Sequence, residues 1–290
     1  MKRIAGRPLL WFASLFALLA AYTILAGRLA RPDLLPPSRD IAETLATLVA
    51  GPAPRAAPAM PVEGHEGHHH HRSSEQVDTL LQQGVTLQRS LAVSTGRVLF
   101  GLGVGLPLGI LAGLLMGWSR RADDYLHPLF VLVRSIPPLA LITYIMLWLG
   151  HSEAHRLIPI VYAVATTVVI PTYHGVRDVA ARYVVAAQSL GARGWLLLSR
   201  VLLPAAGPAV LGSLRYAVAI AWMTAVGAEM LMADDGMGNF LVGGGMWASR
   251  LQMRSDPAVI MVGIVALGAM GWAMDAAAQL AAARMTRWVR

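Results

Sequence analysis

The chain has 290 residues, of which 56% are hydrophobic and only 14% are charged. A soluble domain is nearer a quarter charged, so this composition excludes an ordinary soluble domain and predicts a polytopic membrane protein. The formal net charge of +8 comes from arginine, since Lys2 is the single lysine. The basic residues flank apolar runs, which indicates topology signals rather than a nucleic-acid surface. The absence of cysteine excludes disulfides, thiolate nucleophiles and cysteine-based zinc sites.

The first predicted element is a transmembrane helix within residues 1–28. Lys2, Arg3 and Arg7 precede an apolar run that is about long enough to cross a bilayer. A cleaved signal peptide is the competing interpretation. No small-x-small cleavage site followed by a soluble body is evident, and further spans follow, so we expect an uncleaved first helix.

Residues 29–88 are predicted to form an external loop with short helices near 39–50 and 75–88. Its segment 51–74 is rich in proline and histidine and has too little apolar material to offset its chain entropy, so we expect it to be disordered. The segment contains a formal H-E-x-x-H match from His65 to His69, but its glycines and prolines oppose the rigid helix that a metalloprotease needs. The alternatives are a flexible tract that captures a divalent metal and a spacer with no role. The metal ligands would be His65, His68, His69, His70 and His71.

Residues 89–283 hold five more predicted spans, followed by a basic cytoplasmic tail at 284–290. The run 91–118 carries glycines at four-residue spacings, which place them on one helix face. The run 126–150 is interrupted by Pro137 and Pro138, so its first half should be kinked or broken. A polar turn at 151–156 precedes a span over 156–175, and the last two spans cover about 208–232 and 257–280. Residues 233–256 between them are rich in glycine and dip partly into the membrane in one interpretation.

A loop at residues 180–204 separates the fourth and fifth spans, and its arginines keep it out of the lipid. Alanine and leucine favour helix, Gly191 interrupts it, and Pro204 opposes simple continuation, so we expect two short helices with a bend at Gly191. Such an amphipathic element is either a docking site for a partner's groove or an ordinary connector. Six spans place both termini on one side, and the excess of arginine in the short loops there indicates the cytoplasm.

This loop resembles the EAA loop of bacterial ABC importer permeases, in which it is the coupling helix that seats on the ATPase subunit. The matching residues are Ala186, Ala187, Gly191, Val201, Leu203 and Pro204, while Val185 replaces the family's glutamate. Segments 134–142, 189–192, 228–231 and 236–238 are similar to the nitrate, sulfonate and taurine branch of these permeases. The similarity runs from about residue 87 to the C-terminus, and segment 51–74 departs from it.

The resemblance implies an all-α permease subunit with about six transmembrane helices and a cytoplasmic coupling helix, in the bacterial inner membrane. It implies a homodimer with two ATPase subunits and an external solute-binding protein. The solute would be a small anion such as nitrate, a sulfonate or taurine, with a metal or metal chelate left open by the histidines. The chain has no GxxxxGK[ST] phosphate loop, so ATP hydrolysis is expected on another polypeptide, and no cofactor is expected on the core.

Charged residues inside the spans are functional candidates, because their burial in lipid is costly. Arg134, with Pro137 and Pro138, and Glu229 are the predicted translocation-pathway residues. Arg134 either meets an anionic solute or extends to the interface, while Glu229 either pairs with an arginine or contacts solute. Asp275 is expected to reach the interface. A rival hypothesis is an ion-driven secondary transporter with Arg134, Glu229 and Asp275 as its relay, although the two related halves typical of that class are not found.

Overall fold

The computed structural model describes residues 38–50, 86–150, 152–179, 181–232, 235–242 and 257–285. The regular structure in these ranges is entirely helical, with no strand. The chain divides into one unit of residues 1–88 and 240–266 and a second unit of residues 89–239 and 267–290. The predicted all-α class is confirmed.

Ten helices, α1 to α10, occur in the described ranges. A five-residue π-helical turn, Leu198–Leu202, joins α7 to α8. The helices in chain order are α1 Ser38–Ala50, α2 Leu87–Trp118, α3 Arg120–Arg134, α4 Pro138–Leu149, α5 Glu153–Arg177, α6 Ala181–Ser189, α7 Trp195–Leu197, α8 Leu203–Met232, α9 Met237–Val242 and α10 Pro257–Met285.

Four stretches are long and apolar enough to cross a bilayer: α2, α5, the continuous stretch from α7 into α8, and α10. The pair α3 and α4 makes a fifth if its two halves form one span. The predicted first transmembrane helix, the histidine-rich segment and most of the predicted helix at 75–88 lie outside the described residues. Helix α1 coincides with the short helix predicted at 39–50.

A row of glycines on α2 lets its backbone lie directly against α5. The row is Gly101, Gly105, Gly109, Gly113 and Gly117. A Cβ on Gly105 would lie 2.7 Å from Cβ of Val164, and one on Gly113 would lie 2.6 Å from Cβ of Thr172. The common glycine face predicted from four-residue spacing is therefore present, and α5 is the helix that it contacts.

Helices α3 and α4 meet at a bend of 86°. Pro137 has extended backbone angles (φ −62°, ψ 131°) and Pro138 is the first residue of α4, where a missing N–H costs nothing. The Tyr162 hydroxyl of α5 lies within hydrogen-bonding distance of the carbonyls of Val133 and Ile136, 2.9 Å from the latter. The interruption predicted at this proline pair is confirmed.

The start of the fifth span differs from the prediction, because helix continues through Pro204 instead of beginning at Pro208. The amide of Leu203 donates to the carbonyl of Leu198, five residues back, which closes the π-helical turn. A proline lacks a donor and crowds the carbonyl four residues before it, and the wider turn accommodates both defects. Pro204 therefore widens the helix without ending it.

The main core of the second unit is formed by α2, α5, α8 and the C-terminal part of α10. Val98, Ile160, Val164 and Trp222 are buried in it, and the Trp222 indole donates to the sulfur of Met274 at 3.0 Å. In the first unit, Gly263 of α10 lies against Phe240.

Candidate functional site

The coupling loop, residues 180–204, turns at Gly191, which has φ +86°. The amide of Ala192 donates to the carbonyl of Ala187, and the amide of Gly191 donates to that of Gln188, each at 3.0 Å. These two bonds form a Schellman motif with Gly191 as its left-handed residue, so the carbonyls at the end of α6 are satisfied. The bend predicted at Gly191 is present.

One side of the coupling loop packs onto the helices and the other side is exposed. Ala187, Ala192 and Val201 pack against a buried apolar cluster, whereas Leu190 is 89% exposed and Trp195 is 73% exposed. The members of the buried cluster are Val176, Leu197, Leu198, Leu202 and Ala206. Val185, Ala186 and Leu203 are also exposed. The loop is thus fixed to the ends of α5 and α8 and presents an apolar outer surface.

A buried carboxylate, Glu229, lies near the far end of α8 from the coupling loop. Its oxygens lie 2.9 and 2.7 Å from the Ser94 hydroxyl, and Oε1 accepts a bond from Arg97 Nη1 at 2.8 Å. The amide of Gly238 donates to Oε2 at 3.0 Å, and that of Met237 donates to the Ser94 oxygen at 2.8 Å. Glu229 thereby ties α2 to α8 and to the start of α9.

Arg97 extends this arrangement into a network of five charged side chains. It donates to Glu153 through Nε at 3.1 Å and Nη2 at 2.9 Å, and Nη2 also contacts Asp235. Arg156 donates to Glu153 at 2.6 Å and lies 3.5 Å from Asp235. We call Arg97, Glu153, Arg156, Glu229 and Asp235 the polar network; its two arginines face three carboxylates.

The polar turn predicted at 151–156 is only partly correct. Helix α5 begins at Glu153, and His155 and Arg156 are buried on it. Glu153 occupies the first turn, where a carboxylate interacts favourably with the helix dipole while its oxygens bind the two arginines.

Two glycines, Gly236 and Gly238, let the backbone at the start of α9 lie directly against Glu229 of the polar network. Gly236 has φ +93°, and a Cβ there would lie 2.5 Å from Oε1 of Glu229. A Cβ on Gly238 would lie 2.5 Å from Cβ of Glu229. On the other side, a cavity of about 330 Å³ opens beside Arg97, Glu153 and Asp235. The network is therefore enclosed by backbone at Glu229 and exposed at Glu153 and Asp235, whose side chains are 55% and 41% exposed.

The predicted pathway residues lie in different places. Glu229 is in the polar network, whereas Arg134 is the exposed last residue of α3 and Pro137 and Pro138 form the adjoining bend. Asp275 binds Arg215 of α8, and its expected position at the interface stays a prediction. No ion pair among the described residues joins Arg134, Glu229 and Asp275, so the structure does not assemble the relay of a secondary transporter.

Arg97, Ser94, Glu153 and Asp235 were missed from the sequence. Arg97 carried a usable signal, because it is a charge within a long apolar run, as Arg134 is. Glu153 and Asp235 fall in short polar segments with no periodicity. The predicted metal ligands, His65 and His68 to His71, lie outside the described residues, and the described part of the chain holds no cluster of potential metal ligands.

The model of a protein family, binding-protein-dependent transport system inner membrane component, matches residues 105–287. A probable ABC transporter permease protein of Brucella melitensis is 35% identical over 214 residues, which cover 74% of this chain and 84% of that protein. The taurine transport system permease protein TauC of Escherichia coli is 28% identical over 270 residues, 92% of this chain and 84% of that protein. The putative aliphatic sulfonates transport permease protein SsuC of Escherichia coli is 31% identical over 202 residues, 70% and 74% respectively.

Among solved structures, the inward-facing MetNI methionine ABC transporter matches with a TM-score of 0.54 and 18% identity. The match covers 69% of this chain and 94% of the other chain, and it supports the fold.

Proposed function

Since the chain belongs to the family of binding-protein-dependent transport system inner membrane components, we propose that two copies of it form the membrane pathway of an importer for small organic sulfonates, including taurine. The chain is a multi-pass inner-membrane permease subunit, and the family implies ATPase and solute-binding protein partners. The sulfonate proposal is supported by two relatives that are named for taurine and aliphatic sulfonates.

The exposed apolar surface of the coupling loop is the observation that supports an ATP-driven importer. Leu190 and Trp195 project on either side of the Gly191 bend, while the opposite side of the loop is packed onto α5 and α8. Exposed aromatic and aliphatic side chains on a fixed element suit insertion into a groove on a partner. The partner proposed here is an ATPase on a separate polypeptide, because this chain has no phosphate loop.

The orientation that follows places the coupling loop and both termini in the cytoplasm. Helices α5 and α8 then carry the polar network at their external ends, since each helix has one end in each site. We propose that the network closes the external end of the permease and that the bend at Pro137 and Pro138, with Arg134 beside it, borders the pathway. No cofactor is proposed for the permease core, and a divalent metal on His65 and His68 to His71 stays a prediction.

The proposed function is tested with the permease, its ATPase and its binding protein reconstituted in proteoliposomes. ATP-dependent uptake of radiolabelled taurine or ethanesulfonate is expected, with no uptake when the ATPase is omitted. Replacing Leu190 and Trp195 by serine should abolish uptake and ATPase association while the permease remains in the membrane. Uptake that persists without the ATPase, or that follows an ion gradient alone, would overturn the proposal.

A further inference from the structure

Outside the polar network, an arginine and an aspartate form an ion pair between α8 and α10 of the second unit. Arg215 of α8 donates to Asp275 of α10 through Nε at 2.8 Å and Nη2 at 2.9 Å, which is a bidentate arrangement. Gln279, one turn further along α10, donates to Asp275 at 2.6 Å. Asp275 thus holds the guanidinium in one orientation, and Gln279 in turn holds the carboxylate of Asp275.

The depth of the pair follows from its position along two helices that are long and apolar enough to cross a bilayer. At 1.5 Å per residue, Arg215 is about 18 Å from the start of α8 at Leu203 and about 26 Å from its end at Met232. Asp275 is about 15 Å from the end of α10 at Met285. With each helix centred on a hydrocarbon layer about 30 Å thick, both charges fall inside the layer, nearer the coupling loop than the polar network.

Despite this depth, the pair is on the surface of the chain. The side chain of Arg215 is 55% exposed and that of Asp275 is 29% exposed. Nη1 of Arg215 makes no hydrogen bond within the described part of the chain, so its two N–H donors point away from the pair. Charged side chains at this depth face a bundle interior or a water-filled cavity, because unpaired donors in hydrocarbon are costly.

Two exposed residues near Arg215 on α8 are small, whereas the adjoining Tyr216 is a large side chain that is 72% exposed. Gly212 and Ala219, about one turn before and after it on α8, are both exposed, and a Cβ on Gly212 would meet no atom within 4 Å. The open space at Gly212 leaves room for a solute beside the guanidinium. Arg97 is the contrasting case, because its Nε, Nη1 and Nη2 are all bound to carboxylates.

We propose that Arg215, positioned by Asp275 and Gln279, contacts the sulfonate group of the solute as it passes through a water-filled pathway along α8. The planar guanidinium matches the geometry of an oxyanion, and Nη1 supplies the donors. Asp275 offsets one unit of positive charge, so the contact is weak enough to release the anion, as conduction requires. This inference rests on the proposed function and names the residue that selects the solute class.

Accessibility is tested first, with single cysteines in a chain that has no native cysteine. Gly212→Cys and Ala219→Cys should react with a charged, membrane-impermeant thiosulfonate in the assembled transporter, and ethanesulfonate should slow the reaction. Leu108→Cys, on an exposed face of α2, is the control and should not react. Failure of both α8 cysteines to react would overturn a water-filled surface at Arg215.

Selectivity is tested by uptake of ethanesulfonate in the reconstituted complex. Arg215→Met should lower uptake more than 10-fold, and the double exchange Arg215→Asp with Asp275→Arg should restore the thermal stability of the permease but not uptake. Restored uptake in the double exchange would show a purely structural ion pair, and loss of the permease dimer in Arg215→Met would show a subunit interface. Either result overturns the inference, whereas absence of uptake by the unaltered complex would instead overturn the proposed function.

Discussion

Replacing Gly191 by valine tests whether the coupling loop must adopt its observed bend. Gly191 has φ +86°, and a Cβ there would meet no atom within 4 Å, so the substitution introduces no steric clash with neighbours. The cost is therefore confined to the backbone. A left-handed conformation costs a non-glycine residue about 1–2 kcal/mol, and a β-branched side chain lies at the upper end of this range or above it. The equilibrium constant between the bent and unbent forms should then shift by about 5–30-fold against the bent form.

The assay is the affinity of the purified permease for the ATPase, measured together with solute-stimulated ATP hydrolysis. Gly191→Val should weaken binding by up to the factor given by the backbone cost, while membrane insertion is unchanged. Gly191→Asn should bind nearly normally, because asparagine tolerates the left-handed region. Gly103→Ala, on a helix with open space around the new Cβ, is the control for a glycine lost elsewhere. Normal binding and transport by Gly191→Val would refute the reasoning.

Four further predictions follow from the structure and the sequence. Gly113→Val should lower the stability of the permease by roughly 1–3 kcal/mol or more through overpacking against α5, measured by thermal unfolding in detergent; an unchanged midpoint would contradict the helix contact. Gly236→Ala should destabilise the protein more than Gly103→Ala does, because its φ is +93° and the new Cβ would crowd the buried carboxylate of the polar network. Deleting residues 64–71 should abolish high-affinity Zn²⁺ and Ni²⁺ binding, which should weaken below about pH 6 in the intact protein as imidazoles protonate; equal calorimetric titrations of the two forms would make the tract a spacer. Cysteines at Ser189 and Gly67 should be labelled only from the cytoplasm and only from outside, respectively, and the reverse pattern would overturn the orientation.

The features that sequence predicted well are those set by residues close together in the chain. The glycines of α2 recur every fourth residue, so a common close-packing face follows from helical geometry alone. Pro137 and Pro138 interrupt an apolar run, and Gly191 follows a short helix at the place where a left-handed residue belongs. In each case the local backbone has few alternatives.

The features that sequence did not predict depend on distant residues. Glu229 and Arg97 are separated by 132 positions, and Glu153 and Arg97 by 56. An apolar run with one charge predicts that the charge needs a partner, but it does not say which partner. Pro204 was misread for a related reason. A proline opposes an ordinary helical turn, and a preceding π-helical turn removes that opposition without leaving a pattern in the sequence.

The two sites are connected by the same pair of helices. Helix α5 begins in the polar network at Glu153 and ends beside the buried cluster of the coupling loop at Val176. Helix α8 begins beside that cluster and carries Glu229 near its other end. The two helices pack on each other along their length, and α2 lies closely against α5. This continuous apolar core resists bending of either helix, so displacement of one helix end moves the whole helix. Under the proposed function, a force applied by an ATPase at the coupling loop would reach the polar network as movement of whole helices. Rupture of the ion pairs at the far end is the step that such movement would drive.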